Sequence, residues 1–263
     1  YRSRTGPTTA QGAGWDFSYN VSLAPQPDGT VLLRTGDGRS NTFYPDGTNG
    51  WLRDEYFLTI GDLDRDGYPD VVTFADTGKW IFNPPGTAVA GKLSQIVDRN
   101  GNTITLHYDA TGRLSTIVDT LDRTNTVAYN PSGRIESVTD FSGRVVRYEY
   151  DSNGDLVACV SPAVTGTPTG NDFPGGKTNR YAYTSGLADD RLNHNLTACT
   201  DAKGQTWLQV AYQPTNNPAS LDFDAVDYVQ RGAYREHLRR YAQTPSSKNG
   251  FAAVKTVACD AVG

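Results

Sequence analysis

The sequence predicts an all-β protein made of consecutive antiparallel β-hairpins. The 263 residues include 27 Gly, 14 Pro and 15 Tyr, a composition typical of short strands joined by tight turns. A period of 21 residues runs through the middle of the chain. Each period holds two runs of β-branched and aromatic residues at roughly alternating positions, which is the pattern of strands. Together these observations favour a repeated two-stranded unit over a helical fold.

Four columns of residues carry the period, one each of Gly, of Leu or Ile, of Asp and of Tyr. They comprise Gly112, Gly133 and Gly154; Leu93, Leu114, Ile135 and Leu156; Asp98, Asp119 and Asp140; Tyr108, Tyr129 and Tyr150. A run such as LSTIV, then a polar turn, then a run such as NTVAY predicts one hairpin per unit. We expect the repeated Tyr to pack between neighbouring hairpins and the repeated Asp to be turn residues before they are acid and base pairs.

The junctions between units carry a family resemblance. YDATGRL, YNPSGRI and YDSNGDL resemble the RHS or YD repeats of bacterial Rhs proteins, of shell components of insecticidal toxin complexes and of teneurins. The resemblance covers residues 91–154 clearly and later residues more loosely. It implies consecutive antiparallel hairpins of 21-residue YD repeats that form an open spiral sheet or partial shell.

The chain divides by pattern into two regions. Residues 1–90 resemble the β-rich region that precedes the repeats in Rhs proteins, and residues 91–263 form the YD-repeat region, with a Gly, Pro and Thr-rich insertion at 162–178. Residues 228–242 are ambiguous, because Tyr234, Leu238 and Tyr241 have helical spacing while the neighbouring units favour a strand.

The strongest chemical motif is the segment GDLDRDGYPDVV, at residues 61–72. Its carboxylates stand at positions 1, 3, 5 and 9 of a calcium loop, and Gly67 stands at position 6, where the loop turns sharply. The predicted ligands are Asp62, Asp64, Asp66, Asp70 and the main-chain carbonyl of Tyr68.

Position 12 of this loop, the last of residues 62–73, is Thr73 rather than the Glu of an EF-hand, and VVTF has the pattern of a strand. The loop therefore resembles the strand-linked calcium loops of FG-GAP repeats. Four carboxylates in so short a loop would repel one another without a cation. We expect Ca²⁺ in a structural role; a solvated acidic turn is the alternative.

The three cysteines do not form a CxxC pair or a disulfide framework. Cys159 and Cys199 fall in equivalent columns, which a plain meander places about 9.5 Å apart, beyond the roughly 7 Å that a disulfide allows. Buried free thiols are the simpler expectation. An intermolecular disulfide through Cys259, which strand alternation turns to the opposite face, is the alternative.

Catalytic motifs are poor, and we predict that the chain is not an enzyme. The only histidines are His107, His194 and His237, and the sequence has no GxSxG, HExxH or P-loop motif. The net charge of −5 and pI near 5.2 argue against a nucleic-acid partner. No apolar run approaches the roughly 20 residues of a membrane-spanning helix.

The sequence thus predicts a structural, non-catalytic scaffold of a secreted or cell-surface assembly, where calcium is available. Because the chain starts within a strand pattern and stops within a repeat, the expected partner is itself or the remainder of a longer precursor. Self-pairing of open strand edges would give a filament. The alternatives are a shell fragment of an Rhs-type toxin delivery protein and a carbohydrate-binding surface module whose partners are glycans.

Overall fold

The computed structural model describes residues 1–2, 6–48, 50–53, 58–64, 66–220, 222–242 and 254–260. Their regular elements are β-strands and the short 3₁₀ helix Asp190–Leu192. The predicted all-β fold of consecutive antiparallel hairpins is therefore confirmed. No described helix is long and apolar enough to cross a membrane.

The chain forms two compact units. The first, here the N-terminal unit, comprises Pro7–Gln11 and Trp15–Arg147; the second, here the C-terminal unit, comprises Tyr1–Gly6, Gly12–Gly14 and Tyr148–Gly263. The regions 1–90 and 91–263 remain a division by sequence pattern, because these compact units are divided at another place. Two short strands near the start of the chain are β1 (Thr8–Thr9) and β2 (Gly12–Ala13).

In the N-terminal unit, each strand from β3 onward pairs antiparallel with the next strand along the chain. These strands are β3 (Ser22–Pro25), β4 (Val31–Arg34), β5 (Ser40–Pro45), β6 (Trp51–Arg53), β7 (Leu58–Gly61), β8 (Val71–Thr73), β9 (Lys79–Phe82), β10 (Leu93–Val97), β11 (Thr103–Tyr108), β12 (Leu114–Asp119), β13 (Thr124–Tyr129), β14 (Ile135–Thr139) and β15 (Val145–Tyr150), of which residues 145–147 belong to this unit.

In the C-terminal unit, consecutive strands from β16 to β22 also pair antiparallel. They are β16 (Leu156–Val160), β17 (Thr178–Tyr183), β18 (Leu196–Thr200), β19 (Thr206–Tyr212), β20 (Val226–Arg231), β21 (Tyr234–Ala242) and β22 (Val254–Asp260). The ambiguous segment 228–242 contains the end of β20 and the whole of β21, so of the two alternatives the strand is the one observed. The insertion connects β16 to β17, whose ends still pair through Val160 and Thr178.

The core of the repeats lies at the end of each hairpin where one unit joins the next. Leu114 and Ile135 begin their strands and are 4% and 3% exposed. Leu106 and Val127 stand two residues before the repeat Tyr and are also buried. The opposite ends of the hairpins carry exposed side chains such as Leu121. Burial therefore concentrates at the junctions, because that is where successive hairpins share apolar contacts.

Five-residue turns of one design close both ends of each hairpin. We call those at the exposed ends the distal turns and those between units the junction turns. The distal turns span residues 98–102, 119–123 and 140–144; the junction turns span residues 109–113, 130–134 and 151–155.

The first residue of each turn organises the backbone of the other four. In the last distal turn, the Asp140 N–H donates to the Arg144 carbonyl and the Gly143 N–H to the Asp140 carbonyl, both at 2.9 Å. Oδ1 of Asp140 accepts the N–H groups of Ser142 and Arg144 at 2.9 and 3.0 Å. The Asp column was therefore correctly predicted to consist of turn residues.

The fourth residue of each turn adopts a left-handed conformation, which glycine tolerates best. Gly143 has φ of 83°, but Asp122 has 59° in the equivalent turn, and Thr77 has 71° in the related turn of residues 74–78. A β-branched side chain is strongly disfavoured there.

Thr77→Gly is expected to stabilise the protein by about 1 kcal/mol, because relief of strain outweighs the extra freedom of glycine in the unfolded chain. Asp122→Gly should give a smaller gain, since Asp tolerates this conformation better. Chemical denaturation of both variants measures the difference. The control Gly143→Ala should destabilise the protein through its backbone alone, because its new methyl group would meet no atom within 4 Å. A Thr77→Gly variant less stable than the wild type would contradict the assignment of strain to Thr77.

Candidate functional site

The acidic loop connects β7 to β8. Gly61 pairs with Val71 across the two strands, and the Asp70 N–H donates to the Gly61 carbonyl at 3.0 Å. The loop is therefore the closed end of a hairpin and is flanked by strands, as its resemblance to FG-GAP loops implied.

Three of the four predicted carboxylates come together. One oxygen from each of Asp62, Asp64 and Asp70 lies within 4.8 Å of the others. Oxygens on opposite sides of a Ca²⁺ ion bound at 2.3–2.6 Å are about 4.6–5.2 Å apart. The spacing of this cluster therefore suits one hard cation of that size.

The other two predicted ligands lie in the same loop and shape its backbone. The Asp66 N–H is 3.2 Å from carboxylate oxygens of both Asp62 and Asp64, and the carboxylate of Asp66 accepts the Tyr68 N–H at 2.8 Å. The Gly67 N–H donates to Asp62 at 2.7 Å, with φ of 89° at Gly67. The ligand roles of all five predicted residues, Asp62, Asp64, Asp66, Asp70 and the Tyr68 carbonyl, stay predictions.

The neighbouring carboxylates of the cluster act on the pKa of Asp70. Partial burial raises the pKa of its carboxyl group, and the negative charges of Asp64, Asp62 and Asp66 raise it further. The Leu63 N–H, which donates to Asp70 at 2.7 Å, acts in the opposite direction. The folded loop thus opposes the charge on Asp70, which a bound cation would offset.

A second polar cluster, which the sequence analysis missed, lies in the C-terminal unit. Nδ1 of His194 is 2.9 Å from both carboxylate oxygens of Asp155, whose side chain is 1% exposed. The amide of Asn195, also 1% exposed, donates to the buried carboxylate of Asp224 at 2.6 Å. The Tyr1 hydroxyl lies at the same cluster. It donates to the His194 carbonyl and accepts the Leu196 N–H at 2.9 Å.

The repeat register explains this cluster. Tyr183 pairs with Leu196 as Tyr129 pairs with Ile135, so His194 stands in the column of the junction glycines. Its φ is 66°, close to the 75° of Gly133. Asp155 stands where the two preceding junctions have Arg113 and Arg134. The sequence signal for this site was therefore His194 in the column of the junction glycines and Asp155 in the column of the junction arginines.

The repeat tyrosines link the two strands of a hairpin by a hydrogen bond. The hydroxyl groups of Tyr108, Tyr129, Tyr183 and Tyr212 donate to the carbonyls of Leu93, Leu114, Leu156 and Leu196 at 2.6–3.0 Å. Burial raises the pKa of Tyr108 and Tyr129, so these hydroxyls remain neutral donors at ordinary pH. The predicted packing role of the repeat Tyr is thus supplemented by a hydrogen bond.

Two of the three cysteines, Cys159 and Cys199, are free thiols. Cys159 lies on β16 and Cys199 on β18, with β17 between them, and both are unpaired. Burial raises the pKa of both thiols, which keeps them protonated and weakly reactive near neutral pH. The main chain of Cys259 pairs with His237, but its side chain lies outside the described part of the structure, so the intermolecular disulfide stays a prediction.

Comparison with known proteins places the repeats in a family. Residues 89–124 and 129–163 match the RHS Repeat family, so the resemblance drawn from the YD junctions is confirmed and the chain contains RHS repeats. No curated protein sequence gave a match.

Two solved structures illustrate the structural matches. The crystal structure of TcdB2-TccC3 is 14% identical over 89% of this chain and 15% of that chain, with a TM-score of 0.36. A mutant Tc holotoxin pore of Photorhabdus luminescens is 13% identical over 89% of this chain and 17% of that chain, with a TM-score of 0.32. This chain spans less than a fifth of the chains that it matches.

His194→Gly is expected to destabilise the C-terminal unit by about 2 kcal/mol. The loss of a partner to a buried carboxylate costs roughly 3–5 kcal/mol, an amount reduced by the partial exposure of His194 and by relief of its left-handed backbone. Thermal unfolding should show the loss as a lower Tm. The control Asp122→Gly makes the same change of backbone at an exposed turn and should not lower Tm. An equal response of both variants would contradict a stabilising contact between His194 and Asp155.

Proposed function

We propose that this chain is a structural, non-catalytic YD-repeat scaffold of a secreted or cell-surface assembly. The observation that carries the proposal is that the recurring polar side chains serve the chain's own backbone. The first residue of each turn accepts main-chain N–H groups, as in Asp109 and Asn130. The repeat Tyr donates to a main-chain carbonyl, as in Tyr129. A repeat that uses its polar groups in this way is suited to extending a sheet.

The acidic loop has a structural role in this proposal. Asp62, Asp64 and Asp70 hold Ca²⁺ directly, and Asp66 and the Tyr68 carbonyl complete the ligand set. The ion neutralises like charges that lie within 4.8 Å of one another and locks the connection between β7 and β8. Such weak sites suit an extracellular setting, where calcium reaches millimolar concentration. At ten times the dissociation constant, binding would stabilise the fold by about 1.4 kcal/mol.

Asp70→Asn separates the calcium role from a simple acidic turn. In excess Ca²⁺ the variant should lose most of the calcium-dependent rise in Tm, because it lacks one anionic ligand. In chelator at pH 7 it should melt at or above the wild-type temperature. The raised pKa means that the charged carboxylate opposes folding once the pH exceeds its folded-state value, and the amide can still accept the Leu63 N–H.

The matched control is Asp151→Asn, in a junction turn where the preceding unit already has Asn130. It should keep the full response to Ca²⁺. A wild-type Tm that is unchanged by Ca²⁺, or calorimetry without calcium binding, would overturn the calcium proposal and leave the scaffold proposal standing.

The scaffold proposal is tested by location and by assembly state. An antibody against the chain should detect it in the medium or on intact cells of its source, and confinement to the cytosol would overturn the proposal. Light scattering and negative-stain imaging of the native material then identify the partner. Ordered polymers support self-association into a filament through strand edges. Recovery within one larger polypeptide that carries a toxin domain supports the shell fragment of a toxin delivery protein instead.

Glycan binding is the remaining candidate. It is favoured by exposed aromatic rings, such as Tyr44 and Trp207, which are 63% and 50% exposed. Such rings can stack on sugars but are also common on surfaces, so the scaffold role is preferred.

A further inference from the structure

A cavity of about 380 Å³ lies in the N-terminal unit, where residues 7–10 and 17–22 meet the repeat that begins at Leu114. We call it the junction cavity. Its volume falls at the lower end of the roughly 300–1,000 Å³ of small-molecule sites. Its walls include Phe17, Val21, Lys92, Tyr108, Leu114 and Tyr129.

The repeat register indicates what the floor of the cavity offers. The Leu93 N–H donates to the Val21 carbonyl at 3.0 Å, and the Ile135 N–H donates to the Ala10 carbonyl at 2.7 Å. Leu114 is the junction residue between them, and it pairs with Tyr108 as Ile135 pairs with Tyr129. By this equivalence the Leu114 N–H is directed to the same side as its two counterparts, where the cavity lies.

The wall of the cavity carries positive charge. Nζ of Lys92 lies 5.7 Å from the centre of the Tyr108 ring and donates to the Gly112 carbonyl at 2.5 Å. An ammonium group has three donors. Among the described residues, no carboxylate lies within 4.0 Å of Lys92 Nζ. A partly buried cation without a counter-ion favours an anionic ligand.

Arg113 differs from Lys92 in this respect. Its guanidinium lies 4.7 Å from the centre of the Tyr129 ring, but its Nε donates to Asp109 at 2.9 Å. Arg113 therefore fixes the second aromatic wall, while Lys92 supplies a charge that has no carboxylate partner among the described residues.

We propose that the junction cavity binds a small carboxylic acid with an apolar or aromatic body. The ligand carboxylate accepts hydrogen bonds from the Lys92 ammonium and from the Leu114 N–H. In the neighbouring junctions, carbonyl oxygens accept the equivalent N–H groups. The body lies among Tyr108, Tyr129, Phe17 and Val21. One cation and one main-chain donor match a single carboxylate, and the aromatic walls disfavour a strongly hydrated anion.

The test is calorimetric titration of the whole chain with 4-phenylbutyrate at low salt. We expect saturable binding at one site. Its amide analogue should bind at least tenfold more weakly, because it lacks the charge that Lys92 recognises. Lys92→Gln should weaken phenylbutyrate binding at least tenfold and leave the affinity for the amide nearly unchanged.

Two further variants make the result specific to this cavity. Arg144→Gln removes an exposed Arg that pairs with Asp140 as Arg113 pairs with Asp109, and it should bind phenylbutyrate like the wild type. Thr8→Trp places a large ring at an exposed wall of the cavity and should abolish binding without lowering Tm. Two results would overturn the proposal. One is the absence of saturable binding up to about 10 mM phenylbutyrate, which corresponds to about −2.7 kcal/mol. The other is equal binding by the wild type and Lys92→Gln.

Discussion

Main-chain groups at the ends of the hairpins lie beyond the sheet ladder, and satisfying them is the constraint on which this fold depends. A hydrogen bond from an N–H group to an ionised carboxylate is shorter and stronger than one between neutral groups. In the turn that begins at Asp140, one carboxylate oxygen accepts two of these groups, and hydrogen bonds to this side chain hold the pKa of Asp140 well below its usual range. The repeat can therefore vary its strand residues widely, while its turns keep Asp or Asn.

The junctions impose a second constraint, because each must also bind the preceding unit. The Tyr129 hydroxyl reaches the carbonyl of Leu114, which lies 15 residues earlier in the chain. Where a junction departs from the repeat, compensating contacts appear. His194 adopts the left-handed backbone of a junction glycine and at the same time binds Asp155, which stands in the place of a junction Arg. A polar network thus replaces a simple turn beside the insertion.

The local part of this structure could be predicted from the sequence, and the long-range part could not. The 21-residue period, the alternation within LSTIV and NTVAY and the spacing of Asp62, Asp64 and Asp70 all act within a few residues, so they identify hairpins, turns and the acidic loop. The Asp155 and His194 pair joins residues 39 apart across an insertion. Contact of Arg134 with Thr9 joins residues 125 apart, and no local pattern records it.

This difference also bears on where the chain can bind other molecules. Within a repeat, a side chain that caps a turn accepts hydrogen bonds from its own turn, as Asp109 does from the N–H groups of Thr111 and Arg113 and from the Thr111 hydroxyl. Binding capacity is left where the regular pattern is interrupted. The acidic loop concentrates like charges, for which we propose a cation, and the junction cavity places Lys92 beside Leu114 and residues 17–22, for which we propose a carboxylate. In a protein built from repeats, such departures are therefore better guides to ligands than the repeated residues themselves.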